Sequence, residues 1–366
     1  MIKSTKVVLS LFLLVVFQKE TQAQSADFKT YSKFDFVSGE KVAALEDFSQ
    51  TDIGDFPAKW NTNGSGEVIT IEGQPGKWLK LNSNTTAFPN FVNDLPENFT
   101  LEFMVAANPA LNYASRFISI VFTPNTEPKK LFTANFQSRV RVAFTPLKGE
   151  KGKTAIDMYG PDSKAVTHNE VTTDKFCLPQ KSMVKVSIWR QKTRLRVYLD
   201  EEKVWDLPAL FDPQANYKKF VLVTGNLLTN MAFYLSDFRL AVGAPDTRSK
   251  LVTDGKFTTT GILFDSNSDK IKPESYGILK QIATVLQENP DVKVRIIGHT
   301  DSDGDDAKNL DLSKRRAAAV KANLSSEFSI ESSRLQTDGK GEAQPVVPNT
   351  TPEGKANNRR VEFVKI

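Results

Sequence analysis

The chain of 366 residues is long enough for two or three domains of ordinary size. Hydrophobic residues make up 40% of it and charged residues 25%, a composition typical of a globular protein that can build hydrophobic cores. The net charge of +5, without a long basic run, is too small to indicate a nucleic-acid or membrane-surface partner. We therefore expect no nucleic acid among the partners.

The N-terminus has the pattern of a secretory signal. Lys3 and Lys6 precede an apolar run from Val7 to Phe17, and a short polar stretch ends at Ala23. This order predicts a signal peptide over residues 1–23 and an exported, periplasmic protein. No cysteine follows the apolar run, so we expect no lipid attachment there. The single Cys177 cannot form an internal disulfide, and stability must come from the hydrophobic cores.

Residues 31–243 are predicted to form an antiparallel β-sandwich. Apolar and polar residues alternate there with period two, which indicates short strands with one buried face. The runs are Thr100–Val105, Phe117–Phe122, Arg139–Phe144, Val184–Trp189, Arg194–Leu199, Phe220–Thr224 and Ala232–Ala241. Asp200, Glu201 and Glu202 are expected in a hairpin turn before Lys203–Trp205. The hairpin and the closing strand loosely resemble concanavalin-like and laminin-G-like jelly rolls.

The resemblance to jelly rolls leaves a carbohydrate ligand open for this region. Trp60, Trp78 and Trp205 could stack on sugars, although tryptophan is more often buried in a core. A glycosidase would need two facing carboxylates, and we find no strand that carries them. The chain has only two histidines, His168 and His299, so sites for His-dependent hydrolysis are scarce. We therefore predict that the protein is not an enzyme.

Residues 244–256 are predicted to be a linker, since Gly243–Lys250 is rich in Gly, Pro and polar residues. Residues 257–366 then alternate strand and helix patterns in the order β-α-β-α-β-β, which predicts an α+β domain. The predicted elements are a strand at Phe257–Phe264, a helix from Pro273 to Asn289, a strand at Val292–Ile297, a helix at Asp306–Leu324, and strands at Arg334–Thr337 and Val361–Val364.

The loop before the second of these helices, and the helix itself, contain a spaced motif. It consists of Gly298-His299-Thr300-Asp301, then Gly304, Asn309, Leu312-Ser313 and Arg316-Ala317. Phe264-Asp265 precedes it and Asn358-Arg359-Arg360-Val361-Glu362 follows it. Together these residues closely resemble the OmpA-like peptidoglycan-associated domain over roughly the last 110 residues, which is a whole domain by length.

The resemblance implies that the domain binds diaminopimelate, a residue of the peptide stem of peptidoglycan. Diaminopimelate ends in an ammonium and a carboxylate on one carbon. By position in the motif, Asp301 would bind the ammonium and Arg316 the carboxylate, since a guanidinium fork matches a carboxylate. Asn309 shares a helix face with Arg316 because seven residues span two turns. The remaining predicted binding residues are Thr300, Gly298, Phe264 and Asp265.

Other interpretations of these residues stay open. Asp301 could only cap the loop, Arg316 could form a surface salt bridge, and Asn309 could only hold the loop to the helix. His299 is expected to be structural, and Arg359 and Arg360 could either contact wall anions or only aid solubility. A calcium loop counted from Asp301 fails, because an EF-hand needs Gly at its sixth position and Glu at its twelfth. We expect no metal or cofactor.

Two functions follow as hypotheses. In the first, a non-catalytic protein of the Gram-negative cell envelope holds peptidoglycan and tethers it to the outer membrane or to the periplasmic sandwich. In the second, the sandwich recognises a carbohydrate or another envelope protein, and the C-terminal domain only anchors it.

Overall fold

The computed structural model describes residues 34–109, 117–132, 138–228, 231–244 and 246–366. The predicted signal peptide lies outside the described residues. None of the helices within these ranges is both long enough and apolar enough to cross a membrane.

The described residues before 243 consist mainly of strands, with one short helix. Its elements in chain order are β1 (Lys41–Glu46), β2 (Trp60–Thr62), β3 (Gly66–Ile69), β4 (Trp78–Leu81), β5 (Thr86–Pro89), β6 (Asn98–Ala107), β7 (Ile118–Thr123), α1 (Pro128–Leu131), β8 (Arg139–Thr145), β9 (Leu147–Lys148), β10 (Gly152–Tyr159), β11 (Ala165–Thr173), β12 (Cys177–Leu178), β13 (Met183–Gln191), β14 (Arg194–Leu199), β15 (Glu202–Leu207), β16 (Lys219–Thr224) and β17 (Phe233–Val242).

These strands form two large antiparallel sheets. One has the order β15-β14-β13-β6-β17-β4-β3, with β1 also paired to β17, and the other has the order β11-β10-β8-β7-β16-β5-β2. The short β9 and β12 pair in parallel. Residues from both sheets share one hydrophobic core, where the ring centroids of Phe99 and Phe122 are 5.7 Å apart. A multi-sheet, largely antiparallel region is therefore confirmed.

The seven predicted runs all fall on strands, and their bounds differ by a few residues at most. The predicted hairpin is also present, with Asp200 and Glu201 in the turn between β14 and β15. The shorter strands β1 to β5 were not predicted. Most of them have only three or four residues, too few to show an alternation of period two.

The expectation of one buried face is wrong for β6. Nearly all of its residues are buried, on both faces. On the side away from the sandwich core, Thr100 accepts a hydrogen bond of 3.0 Å from the Gly39 amide. Arg239 donates one of 3.0 Å to the buried Glu102. This face is buried because the segment before β1 and the C-terminal domain cover it.

The C-terminal domain is a four-stranded sheet with helices. Its sheet has the order β18-β21-β19-β20, parallel between β19 and β20 and otherwise antiparallel. Its elements are β18 (Lys256–Thr259), α2 (Tyr276–Glu288), β19 (Val294–Gly298), α3 (Asp306–Phe328), β20 (Leu335–Gly339), α4 (Pro352–Asn358) and β21 (Val361–Lys365).

The predicted order β-α-β-α-β-β omits α4 and is wrong in that respect. Thr351 accepts a hydrogen bond from the Gly354 amide and caps α4, and Pro352 is the first helical residue. Both residue types are favoured at these positions. The helix spans only seven residues, so it shows little periodicity.

The segment predicted as a linker is structured in its second half. Residues Ser249–Thr253 form a π-helix, and Leu251 is fully buried in the C-terminal core. Residues Phe34, Phe36 and Trp189 from the preceding region belong to the same core cluster. A Cβ on Gly277 would lie 1.9 Å from the Phe36 carbonyl oxygen, so glycine is what allows α2 to pack this closely. The two regions therefore pack directly against each other.

Polar contacts also join the two regions. The Asn357 side chain in α4 donates to the Val42 carbonyl oxygen and accepts from the Val42 amide, both at 2.9 Å. Lys185 pairs with the buried Glu102 and also with Glu274, which precedes α2, each at 3.1 Å. These contacts hold β1 and β13 against the C-terminal domain.

We expect Asn357→Ala to lower the free energy of unfolding by about 1–3 kcal/mol, because it leaves buried backbone groups of Val42 without partners. Urea denaturation of the full chain measures this change. A variant as stable as the wild type would show that the amide does not hold β1 to α4.

Candidate functional site

The motif loop, residues 299–305, is held where β19 ends and α3 begins. A Cβ on Gly298 would lie 2.2 Å from the Ser313 carbonyl oxygen, so only glycine allows the strand end to approach α3 this closely. The Thr300 amide donates to the Gly341 carbonyl oxygen at 3.0 Å. Asp305 caps α3 by accepting from the Lys308 amide at 3.0 Å. These contacts define the backbone path of the loop.

Asn309 fastens the loop to α3. Its buried side-chain nitrogen donates to the carbonyl oxygens of Asp301, at 3.3 Å, and Asp303, at 3.1 Å. It also donates to the Glu342 carboxylate at 2.6 Å. Since the amide nitrogen faces the loop, the geometry favours a positioning role for Asn309 over direct contact with a ligand.

Asp301 is a nearly buried carboxylate with partners on both oxygens. Its side chain is 10% exposed. One oxygen accepts from the Asp303 amide at 3.1 Å, and the other pairs with the Arg359 guanidinium. From the sequence, Arg359 could either contact wall anions or only aid solubility. Its position in the tail motif was the only signal, because the two residues are distant in the chain.

Arg316 is half-buried on the α3 face that looks towards this loop. Its Nε donates to the Ser268 carbonyl oxygen at 3.0 Å, and its guanidinium carbon lies 4.8 Å from the centroid of the Phe264 ring. Burial lowers the pKa of Arg316, the neighbouring Arg359 lowers it further, and the Asp301 carboxylate opposes both. Among the described residues, Arg316 forms no ion pair with a carboxylate.

A cavity of about 210 Å³ opens at this point. Its walls come from the C-terminal domain and, at Leu45 and Arg239, from the preceding β-rich region. The lining residues are Leu45, Arg239, Thr260, Ile262, Leu263, Phe264, Gly298, His299, Arg316, Ala356, Arg359, Arg360 and Val361.

The structure brings only some of the predicted residues to this cavity. Phe264, Gly298 and Arg316 line it. Asp301 and Asn309 are not part of the wall, although Asp301 pairs with Arg359, which is. Thr300 is buried beside the loop and is not part of the wall. Asp265 is not part of it either, because it lies in a turn where its carboxylate is 3.7 Å from the Lys270 ammonium.

No group of three or more His, Cys, Asp and Glu residues in the described ranges is placed to hold a metal ion.

The comparison with protein families identifies this part of the chain. Residues 263–359 match the OmpA family model. They form an OmpA family domain. Similar proteins include outer membrane porin F of Pseudomonas aeruginosa (44% identity over 101 residues, 28% of this chain and 29% of the porin) and outer membrane protein A of Bordetella avium (43% over 100 residues, 27% and 51%).

A peptidoglycan-binding protein ArfA of Mycobacterium bovis is 38% identical over 103 residues, 28% of this chain and 31% of that protein. The OmpA domain thus spans about half or less of the length of these three relatives. The peptidoglycan-associated lipoprotein of Burkholderia pseudomallei is similar in structure, with 28% identity, coverage of 29% of this chain and 88% of that chain, and a TM-score of 0.27. A TM-score of this size carries no argument about function.

Two of the cavity-lining residues, His299 and Arg360, lie beside the buried Glu362 carboxylate. Arg360 donates to the Glu362 carboxylate at 2.9 Å, Lys256 pairs with it at 2.8 Å, and His299 Nε2 lies 3.6 Å from it. Burial acts to raise the pKa of Glu362, but His299, Lys256 and Arg360 together hold it well below its ordinary value of 4.5. Arg360 is therefore a structural residue of the OmpA domain, partnered within the fold.

We expect the stability of the OmpA domain to fall as the pH drops below about 4.5. Because the pKa of Glu362 is lower in the folded state, its ionised form stabilises the fold above that pH, and protonation removes this contribution. Urea midpoints measured from about pH 7 to about pH 3 for the wild type and Glu362→Gln test this. The variant should lose less stability on acidification, and parallel profiles would contradict the assignment.

Proposed function

We propose that the OmpA domain binds peptidoglycan non-covalently through the zwitterionic end of a diaminopimelate residue. In this proposal Asp301 binds the ammonium and Arg316 binds the carboxylate. The name of one similar protein supports a wall ligand, since ArfA of Mycobacterium bovis is a peptidoglycan-binding protein.

The observation that carries the proposal is the environment of the Arg316 guanidinium. Its guanidinium is half-buried, its pKa is depressed by burial and by Arg359, and its described contacts are a carbonyl oxygen and an aromatic ring. A cation in this situation gains more from an incoming anion than an exposed one, because burial has already removed part of its hydration. The planar fork suits a carboxylate in particular.

Asp301 can accept a further cation without losing its present partners. Each of its oxygens accepts one hydrogen bond, from Asp303 or from Arg359. An ionised carboxylate has about four lone-pair sites, so an ammonium can bind alongside. The ligand would then lie between Asp301 and Arg316, with Arg359 next to both.

The other predicted residues would act by shaping the site. Asn309 holds the loop, and Gly298 allows the strand end to approach α3. The Phe264 ring packs against the Arg316 guanidinium. Thr300 and Asp265, which lie away from the cavity wall, would influence binding through the loop and the turn that contain them.

For the whole protein we propose a non-catalytic, periplasmic role in tethering the wall to the outer membrane. Two of the similar proteins are named as outer membrane proteins. The wall is a polymer with many equivalent sites, so weak binding at each site gives long residence through effective concentration. Three features remain predictions. They are a signal peptide at residues 1–23, a jelly-roll topology for the sandwich, and domain boundaries at 31–243, 244–256 and 257–366.

A carbohydrate-binding role for the sandwich receives no support from its tryptophans. Trp60, Trp78, Trp189 and Trp205 are all buried. They are the four tryptophans of the chain, and none presents a face on which a sugar could stack.

We expect Arg316→Ala and Asp301→Asn each to weaken peptidoglycan binding by about 10- to 100-fold. Each variant removes one charge-assisted hydrogen-bonding group, worth about 1.5–3 kcal/mol, and every 1.4 kcal/mol changes affinity about tenfold. Co-sedimentation of the full chain with insoluble, diaminopimelate-containing peptidoglycan measures the loss.

Arg315→Ala is the matched control. Arg315 is the neighbouring arginine on α3, but it is exposed and pairs with Asp311 at 2.8 Å. This control should bind as the wild type does. Undiminished binding by the double variant of Asp301 and Arg316 would refute the proposal.

A further inference from the structure

A larger cleft lies between the β-rich region and the OmpA domain. Its volume is about 820 Å³. It is bounded on one side by β1, β6 and β17 and on the other by the segment before α2 and the start of α4. The OmpA domain alone would have only the second of these walls.

The cleft adjoins the cavity beside Arg316. Leu45, Arg239, Leu263 and Arg359 line both spaces. Arg359 also pairs with Asp301, so the boundary between cavity and cleft lies next to the proposed ammonium site. Because the two spaces share these lining residues, a peptide attached to a ligand in the cavity can continue into the cleft.

Most of the charged residues that line the cleft are neutralised within the fold. Lys185 pairs with both Glu102 and Glu274, and Lys355 pairs with Asp303 at 2.6 Å. These pairs form walls of fixed geometry. Glu46 and Asp47 also line the cleft, where their carboxylates accept hydrogen bonds from the Phe48 and Ser49 amides, each at 2.9 Å.

Three charged side chains in the cleft are different: the exposed Lys59 and the oppositely charged Lys272 and Asp237. They form no side-chain hydrogen bond or ion pair with any described residue. Asp237 lies at a bulge of β17, where the pairing with β6 shifts between Ser236 and Arg239, and it has a positive φ of 53°. A residue other than glycine seldom adopts this conformation.

The Asp237 side chain is exposed to solvent along the cleft. Partial desolvation by the surrounding protein raises its pKa, the nearby Asp47 raises it further, and Lys185 and Lys272 oppose this. The groups that face it are therefore one acid and two bases, of which Lys185 already has two carboxylate partners. Asp237 and Lys272 are therefore an acid and a base that lie in the same cleft without forming an ion pair with each other.

We propose that this cleft is a second section of the peptidoglycan site, which takes the stem peptide as it continues from the bound diaminopimelate. Lys272 binds a carboxylate of the stem and Asp237 accepts hydrogen bonds from its amide groups. The inference rests on the proposed function, because the diaminopimelate must first be held at Asp301 and Arg316.

The consequence is that the β-rich region takes part in ligand recognition. Asp237 is contributed by β17, and Lys272 by the OmpA domain. A peptide that contacts both spans the boundary between the two regions, so binding favours their packed arrangement.

Calorimetry with two probes tests the inference on the full chain. One probe is free meso-diaminopimelate, and the other is a soluble muropeptide whose stem contains diaminopimelate. We expect Lys272→Ala and Asp237→Asn each to weaken muropeptide binding about three- to tenfold. Free diaminopimelate, which does not reach the cleft, should bind both variants as it binds the wild type.

Lys321→Ala is the control, since Lys321 is also half-buried and has no ion pair with a described residue, but it lies on α3 outside the cleft. Unchanged muropeptide affinity in both cleft variants would overturn the inference. Equal weakening for both probes would also overturn it, because the effect would then not belong to the stem. If the wild type binds neither probe, the proposed function itself is refuted.

Discussion

A half-buried guanidinium that pairs with no carboxylate in the described part of the chain is the constraint on which the site depends. Arg316 loses hydration, and its described contacts are the Ser268 carbonyl oxygen and the Phe264 ring. Such an arrangement is unfavourable unless the rest of the fold keeps it in place. The glycine at position 298 and the amide of Asn309 do so, because they fix α3 and the loop relative to each other. Much of the local structure therefore holds the Asp301 carboxylate and the Arg316 guanidinium near each other without a direct ion pair between them.

The local structure around the motif could be predicted because it depends on residues close together in the chain. The spacing from Gly298 to Arg316 describes a strand end, a loop and a capped helix, and each has a residue preference that can be recognised in sequence. The interpretation of Asn309 as a clamp was also accessible, since a short amide near a helix start commonly bonds to the loop. The sequence could not show which predicted residues line the cavity, and Thr300, Asp265, Asp301 and Asn309 are not part of its wall.

What could not be predicted depends on contacts between distant parts of the chain. Arg359 approaches Asp301 only because β21 lies beside β19 in the sheet. Alternation along β6 indicates two faces, but it cannot tell what covers each of them, and Glu102 is buried by residues before β1 and on β17. The helix α4 was missed because it is too short to be periodic, although Thr351 and Pro352 are typical of a helix start.

The packing of the two regions changes the surroundings of the OmpA domain cavity in this chain. A separate OmpA domain would present its cavity to solvent, whereas here Leu45 and Arg239 form part of the wall. Asn357 in α4 holds the strand that carries Leu45. The same contacts that stabilise the packed arrangement thus define the surroundings of the proposed ligand.

The most direct test is a crystal structure of the full chain with meso-diaminopimelate. The account predicts one end of the ligand in the cavity, with its ammonium against the Asp301 carboxylate and its carboxylate against the Arg316 guanidinium. Density for the ligand elsewhere, or a bound ligand whose carboxylate contacts neither Arg316 nor its neighbour Arg359, would contradict it.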